Sequence, residues 1–209
     1  MNRFIRLLAG LVLGLLFASC GSQTPPAYFL SHPPDVKTGR QPRHYPVARQ
    51  GDLTAWLTSD HARSVVDWLY APGDPTPKYP IVGVIRAASM PTTTPHDGAF
   101  LIVSGYDGPL FELWEGTSAK GRLFTGSGWV RVELDQQEAV NTWVRVPGVK
   151  IGGWSGYPVV IGDPAYPDAI AGAMWYKSKE HPSLGGATST RMLKSWLNQL
   201  RFSDFVKRP

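Results

Sequence analysis

DLTAWLTSDHARSVVDWLY, residues 52–70, is the stretch that sets the class of this chain. Its apolar residues recur at spacings of three and four. Leu53, Trp56 and Leu57 share one helical face, and Ala62, Val65, Val66 and Leu69 share the next. Ser59 stands where a side-chain oxygen would cap the free amides of a second helix, with the acidic Asp60 in its first turn. Ala71-Pro72-Gly73-Asp74-Pro75 ends the pattern, because proline lacks an amide hydrogen and cannot continue a helix. The stretch therefore predicts an N-terminal helical region.

Downstream the period changes. From Pro80 to Tyr176, short apolar or alternating runs lie between Gly and Pro punctuation: IVGVIRAA (81–88), AFLIVSG (99–105), LFELWE (110–115), WVRVEL (129–134), TWVRVPG (142–148), YPVVIG (157–162) and AIAGAMWY (169–176). In WVRVEL, Trp129, Arg131 and Glu133 alternate with Val130, Val132 and Leu134, the pattern of a half-buried antiparallel strand. Asp107-Gly108, Gly126-Ser127-Gly128 and Pro147-Gly148 suit tight turns. Near the end, Met192, Leu193, Trp196, Leu197 and Leu200 return to helical spacing, with Thr188 or Ser189 as cap. The expected class is α+β: an antiparallel sheet of about six or seven short strands, sandwich-like or part-barrel. An N-terminal helical region and a C-terminal helix pack on it.

The N-terminus carries a different kind of information. Arg3 and Arg6 precede an apolar run from Leu7 to Ala18, then small residues, then Cys20, the one cysteine of the chain. A charged start, a dozen apolar residues and a small-residue cleavage zone form a secretory signal, and the run is short of the roughly 20 residues that span a bilayer. Phe17-Ala18-Ser19-Cys20 resembles the lipobox of bacterial lipoproteins, with Phe17 where the pattern has Leu. The resemblance covers residues 1–20. It implies cleavage before Cys20, a diacylglyceryl group on its thiol and fatty acylation (palmitate or similar) of the new N-terminus. It also implies a cell-envelope location. Gly21 and Ser22 follow the cysteine, without the Asp that would retain the protein at the inner membrane, so the expected address is the outer membrane, facing the periplasm.

The chain divides accordingly into a signal peptide (1–19), a lipid-anchored, Pro-rich linker (20–50) and one globular domain (51–209). Within the linker, Tyr28-Phe29-Leu30 is apolar enough to dock on the domain or on a partner. Removing residues 1–19 takes two arginines from a formal net charge of +5, a mild excess with no dense basic patch, which argues against nucleic acid. With a single cysteine, no intrachain disulfide can form, so stability must come from packing.

The search for chemistry yields little. The nucleophile pattern Gly-x-Ser-x-Gly is absent; the nearest strings are 125–129, TGSGW, and 153–157, GWSGY, and turn serines account for both. A serine would need a base from His32, His44, His61, His96 or His181, the first two in the linker. Thr117-Ser118-Ala119-Lys120 lacks the serine and companion motifs of penicillin-binding enzymes, and nothing selects a pair among Glu112, Glu115, Glu133, Asp135 and Glu138. No metal-ligand spacing and no cofactor motif occurs, so neither a metal nor a cofactor is expected. Phe, Trp and Tyr number eight each, and Trp154, Tyr157 and Tyr166 fall in predicted loops, where rings can contact a ligand or partner.

The expected function is a lipid-anchored, non-catalytic accessory or scaffold of an envelope assembly such as secretion, conjugation, pilus or outer-membrane biogenesis machinery. Its partners would be the membrane through Cys20 and other envelope proteins. The alternatives are a glycan- or peptidoglycan-binding module using the loop aromatics, and an unrecognised envelope hydrolase.

Overall fold

Leu53–Ser59, expected at the start of a helix, is a strand. In the computed structural model, which describes residues 26–33, 42–60, 67–89, 97–136, 141–152 and 154–207, the protein is mostly β. Among the described residues there are thirteen strands. They are β1 (Phe29–Leu30), β2 (Arg43–His44), β3 (Pro46–Gln50), β4 (Leu53–Ser59), β5 (Trp68–Tyr70), β6 (Pro77–Ile85) and β7 (Gly98–Ser104), then β8 (Ser118–Phe124), β9 (Trp129–Asp135), β10 (Asn141–Arg145), β11 (Pro158–Asp163), β12 (Tyr166–Lys177) and β13 (Leu184–Thr188). One α-helix, α1 (Thr190–Leu197), follows. The α+β assignment and its N-terminal helical region are therefore corrected to an all-β architecture; residues 61–66 of that region lie outside the described residues. No helix among the described residues is long and apolar enough to cross a membrane.

The physical reason is visible in β4. Six of its seven residues are buried. Trp56 points into one core with Phe29, Leu69, Leu101 and Val103. Ala55 and Leu57 point the opposite way, into a second core with Phe100, Val160 and Leu193. A strand buried on both faces has no polar side, so its period of two disappears and chance spacings read as helical.

The strands form two units. The first sheet runs β2-β1-β5-β6-β7-β4-β3, with antiparallel pairing throughout. Its two edge strands, β2 and β3, are separated in sequence only by Tyr45, whose carbonyl accepts the Leu57 amide at 3.4 Å. One segment thus pairs at both edges, and the sheet rolls up. Inside, Trp56 meets Tyr106 edge-on at 4.8 Å and Phe29 at 5.6 Å. The second sheet is a closed barrel, β10-β13-β12-β11-β8-β9, filled by Leu123, Val132, Leu134, Val144, Val159 and Met174. Here the alternation in WVRVEL matches the structure: Val132 and Leu134 face the barrel interior, Arg131 and Glu133 the solvent.

The supposed linker is corrected as well. β1, β2 and β3 all belong to the first sheet, and Ala27, Phe29, Leu30 and Tyr45 are buried. Tyr28-Phe29-Leu30 docks on the domain itself. LFELWE is no strand but the crossing between barrels. The Phe111 amide donates to Pro46 O, and the Trp114 amide to Ile170 O, which ties the crossing to both units. The C-terminal helix is present, shorter than its apolar pattern, and sets Leu193, Trp196 and Leu197 into the seam between the units. Burying such side chains contributes roughly 1.5–3 kcal/mol each.

Candidate active site

Residues 146–157 connect β10 to β11, and the segment ends in a tight turn. The Tyr157 amide donates to Trp154 O at 3.1 Å, closing the turn over Ser155 and Gly156. Gly156 has φ +81°, as the third position of a type II turn requires, and a side chain there would be strained. Two bonds pin this turn to β12: Gly156 N–H to Met174 O at 2.7 Å, and Met174 N–H to Tyr157 O at 2.9 Å. Ser155 is thus held, half-buried, at the wall of a cavity of about 210 Å³. Ile151, Gly152 and Trp154 line it from the loop, and residues 174–177 line it from β12. β12 pairs with β11 only as far as Ala173; from Met174 onward it pairs with β13, and no described strand covers the edge beside the cavity.

A second corner forms at the end of β4. Its register with β7 places Ser59 opposite Gly98, and one residue further the Asp60 amide donates to Asp97 O at 2.8 Å. Asp60 turns its own carboxylate to the Ala87 amide at 3.3 Å. His61 is the next residue in the chain; it and His96 lie outside the described residues. Gly98 lies at the seam. A Cβ on it would stand 2.8 Å from Leu193 Cδ2 and 2.9 Å from Thr188 Cγ2, so only glycine lets the first unit come this close to β13 and α1.

The two corners are joined by a short relay. Gly156 is bonded to Met174, Met174 is paired with Ala187, Thr188 follows Ala187, and Thr188 abuts Gly98, the neighbour of Asp97. These contacts link the Ser155 turn, through β12 and β13, to the corner at Gly98, while the cavity beside Ser155 is itself lined by Ile151, Gly152, Trp154 and β12.

The residues singled out in the sequence fall differently. Trp154 is half-buried beside Ser155. Tyr157 is not exposed but 2% accessible, with its ring 5.5 Å from that of Phe124. Tyr166 is exposed at the other end of the β11–β12 hairpin, so the three rings form no common platform. At about 3.4 Å per residue, the five steps from Pro158 to Asp163 place that end roughly 17 Å away. Cys20 lies outside the described residues. Of the histidines, His181 is exposed, and His44 is fully buried with burial lowering its pKa to about 4. Lys120 of the TSAK string lies on a strand, and Glu115 pairs with Lys194 at 2.9 Å. No group of three potential metal ligands occurs among the described residues.

His61 stood among the candidate bases in the sequence, and Asp97 was not singled out. The Gly-x-Ser-x-Gly test belongs to a strand-to-helix elbow, whereas Ser155 precedes a strand. The usable signal was positional: Asp97 and Ser155 stand just before apolar strands, and His61 just after one.

No family model and no curated protein matches the chain. Among solved structures, the chain is similar to the crystal structure of the Rv3671c protease from M. tuberculosis in its active form, at 16% identity and a TM-score of 0.51, over 90% of this chain and 85% of that one. An inactive form of the same protease, carrying a serine-to-alanine substitution, aligns at 13% identity and a TM-score of 0.47, over 89% and 92%. The likeness to the active form is one of fold; set beside the serine turn and the carboxylate corner, it counts against the expectation of a non-catalytic accessory or scaffold, which is thereby corrected.

Proposed function

We propose that this protein is a serine hydrolase acting on peptides, with Ser155 as nucleophile, His61 as general base and Asp97 as the carboxylate that orients it. The observation that carries the proposal is the bond from the Asp60 amide to Asp97 O, which sets the residue before His61 against Asp97; Gly98, the next residue, abuts Thr188, whose strand pairs with the Met174 that holds the Ser155 turn. The order His, Asp, Ser along the chain is that of chymotrypsin-type enzymes. In this scheme Ser155 Oγ attacks the substrate carbonyl carbon and its proton passes to His61. The Ser155 main-chain amide stabilises the oxyanion, the Gly156 and Tyr157 amides being engaged within the fold. Collapse breaks the C–N bond, and the leaving amine takes the proton from His61. Water, deprotonated by the same base, then hydrolyses the acyl-enzyme. The edge of β12 beyond Met174, which no described strand covers, supports an extended peptide as substrate, added as one more antiparallel strand beside the cavity.

A fluorophosphonate probe tests this reading. The parent chain should be labelled at Ser155, located by peptide mass spectrometry. Ser155→Ala and His61→Ala should abolish labelling, and His96→Ala should retain it. A folded parent chain that resists the probe would refute the assignment.

We further propose that the hydrolase is lipid-anchored through Cys20 in the bacterial envelope, at the outer membrane facing the periplasm. This rests on the lipobox-like end of the chain. Ala27 is already buried in the domain, so only residues 21–26 intervene. Fully extended, that reach is at most about 25 Å, which would seat the domain close to the bilayer rather than hold it off on a long tether.

A further inference from the structure

Arg43 makes an unusual set of contacts for a residue of the N-terminal segment. Its guanidinium carbon lies 4.0 Å from the centre of the Phe124 ring, 4.3 Å from that of Tyr28 and 5.5 Å from that of Trp129. The side chain is half-buried, and no carboxylate among the described residues pairs with it. Tyr28 and Arg43 belong to the N-terminal segment and the first sheet; Phe124 and Trp129 belong to the β8–β9 hairpin of the second barrel. The cation therefore bridges the two units through ring faces.

The bridge leads to the serine. Phe124 packs edge-on against Tyr157 at 5.5 Å. Gly126, in the same hairpin, comes close enough that a Cβ on it would stand 2.9 Å from Tyr157 Oη. Tyr157 supplies the amide that closes the turn around Ser155 and the carbonyl that receives the Met174 amide. Taking Ser155 as the nucleophile proposed above, we infer that Arg43 is a positioning residue for it: the guanidinium clamps Phe124, Phe124 seats Tyr157, and Tyr157 sets the turn. The N-terminal segment is then part of the site, and removing or displacing it slackens the serine turn.

Arginine suits this role because its planar cation stacks on ring faces, which the compact ammonium of lysine does less well. The test compares full-length Arg43→Met and Arg43→Lys with Arg49→Met as a control. Arg49 bonds Tyr106 O and Gly108 O in the first unit, at 3.2 and 2.7 Å, away from the serine turn. Arg43→Met should lower kcat about tenfold with KM within about twofold of the parent. Arg43→Lys should recover part of the loss. Amide exchange at Gly156 and Tyr157 should quicken in the same order, while Arg49→Met leaves both readouts at parental values. Parental turnover and exchange in Arg43→Met, or equal changes in Arg49→Met, would overturn the inference. If the parent chain itself shows no reactive serine, the assignment of Ser155 fails, and exchange at Gly156 and Tyr157 still decides whether Arg43 braces the turn.

Discussion

Gly98→Ala adds one methyl group at the point where the two units and the carboxylate corner meet. The new carbon would stand 2.8 Å from Leu193 Cδ2 and 2.9 Å from Thr188 Cγ2. Carbon atoms prefer about 3.5–4.0 Å, so each contact is short by roughly 0.6–1.2 Å. Neither neighbour has free space to enter: Leu193 is 0% exposed and Thr188 1%. The seam must open by something near an ångström, at an overpacking cost of about 1–3 kcal/mol. For a chain of this size that lowers the melting midpoint by roughly 2–12 °C. The same shift displaces Asp97, the preceding residue and the proposed orienting carboxylate, and a misplacement of about 1 Å can cost on the order of a hundredfold in kcat. Urea denaturation followed by tryptophan fluorescence measures the first effect, and turnover of a reactive ester or peptide the second. Thr188→Ser removes one of the two clashing carbons and keeps the hydroxyl, so the double variant should be less damaged than the two single effects combined. Parental stability and turnover in Gly98→Ala, or strict additivity with Thr188→Ser, would refute the seam as the element that assembles the site.

Other outcomes follow from particular side chains. His44 is buried and neutral, with its pKa lowered by desolvation from 6.5 to about 4. The unfolded chain therefore binds the extra proton first, and stability falls as pH drops from about 6.5 towards 4, by up to about 3 kcal/mol; His44→Gln should flatten that slope in denaturation measured against pH. Trp56 is 0% exposed and donates its Nε1 hydrogen to Thr54 Oγ1 at 2.8 Å. Trp56→Ala should cost about 3–5 kcal/mol in urea, and Trp56→Phe distinctly less. If Cys20 carries lipid, the N-terminal peptide of the mature protein should show the mass of its acyl chains, and Cys20→Ser should lose that mass together with stable membrane partitioning.

Local chemistry was legible wherever one face of an element meets water. WVRVEL alternates because β9 has a barrel interior on one side and solvent on the other, and Met192 to Leu197 repeat helically because α1 packs a single stripe on the seam. It was misleading where both faces are buried, as in β4, whose Trp56 and Leu57 serve two different cores. It was misleading again in the N-terminal segment, where strands of two residues are too short to carry any period and the prolines look like a tether.

The site divides along the same line. The amino-acid sequence alone determined that the C-terminal half is built of short antiparallel strands closed by a helix, and that Ser155-Gly156 makes a turn, because those properties reside in neighbours along the chain. Only the tertiary structure decided that this turn faces a cavity, that Asp97 meets Asp60 beside the seam at Gly98, and that Arg43 reaches the rings behind Tyr157. Those relations depend on how a rolled sheet and a closed barrel are pressed together across an apolar interface. Which residues meet there is set by the summed packing of Tyr45, Leu57, Phe100, Ile170 and Trp196, and no spacing along the chain encodes it.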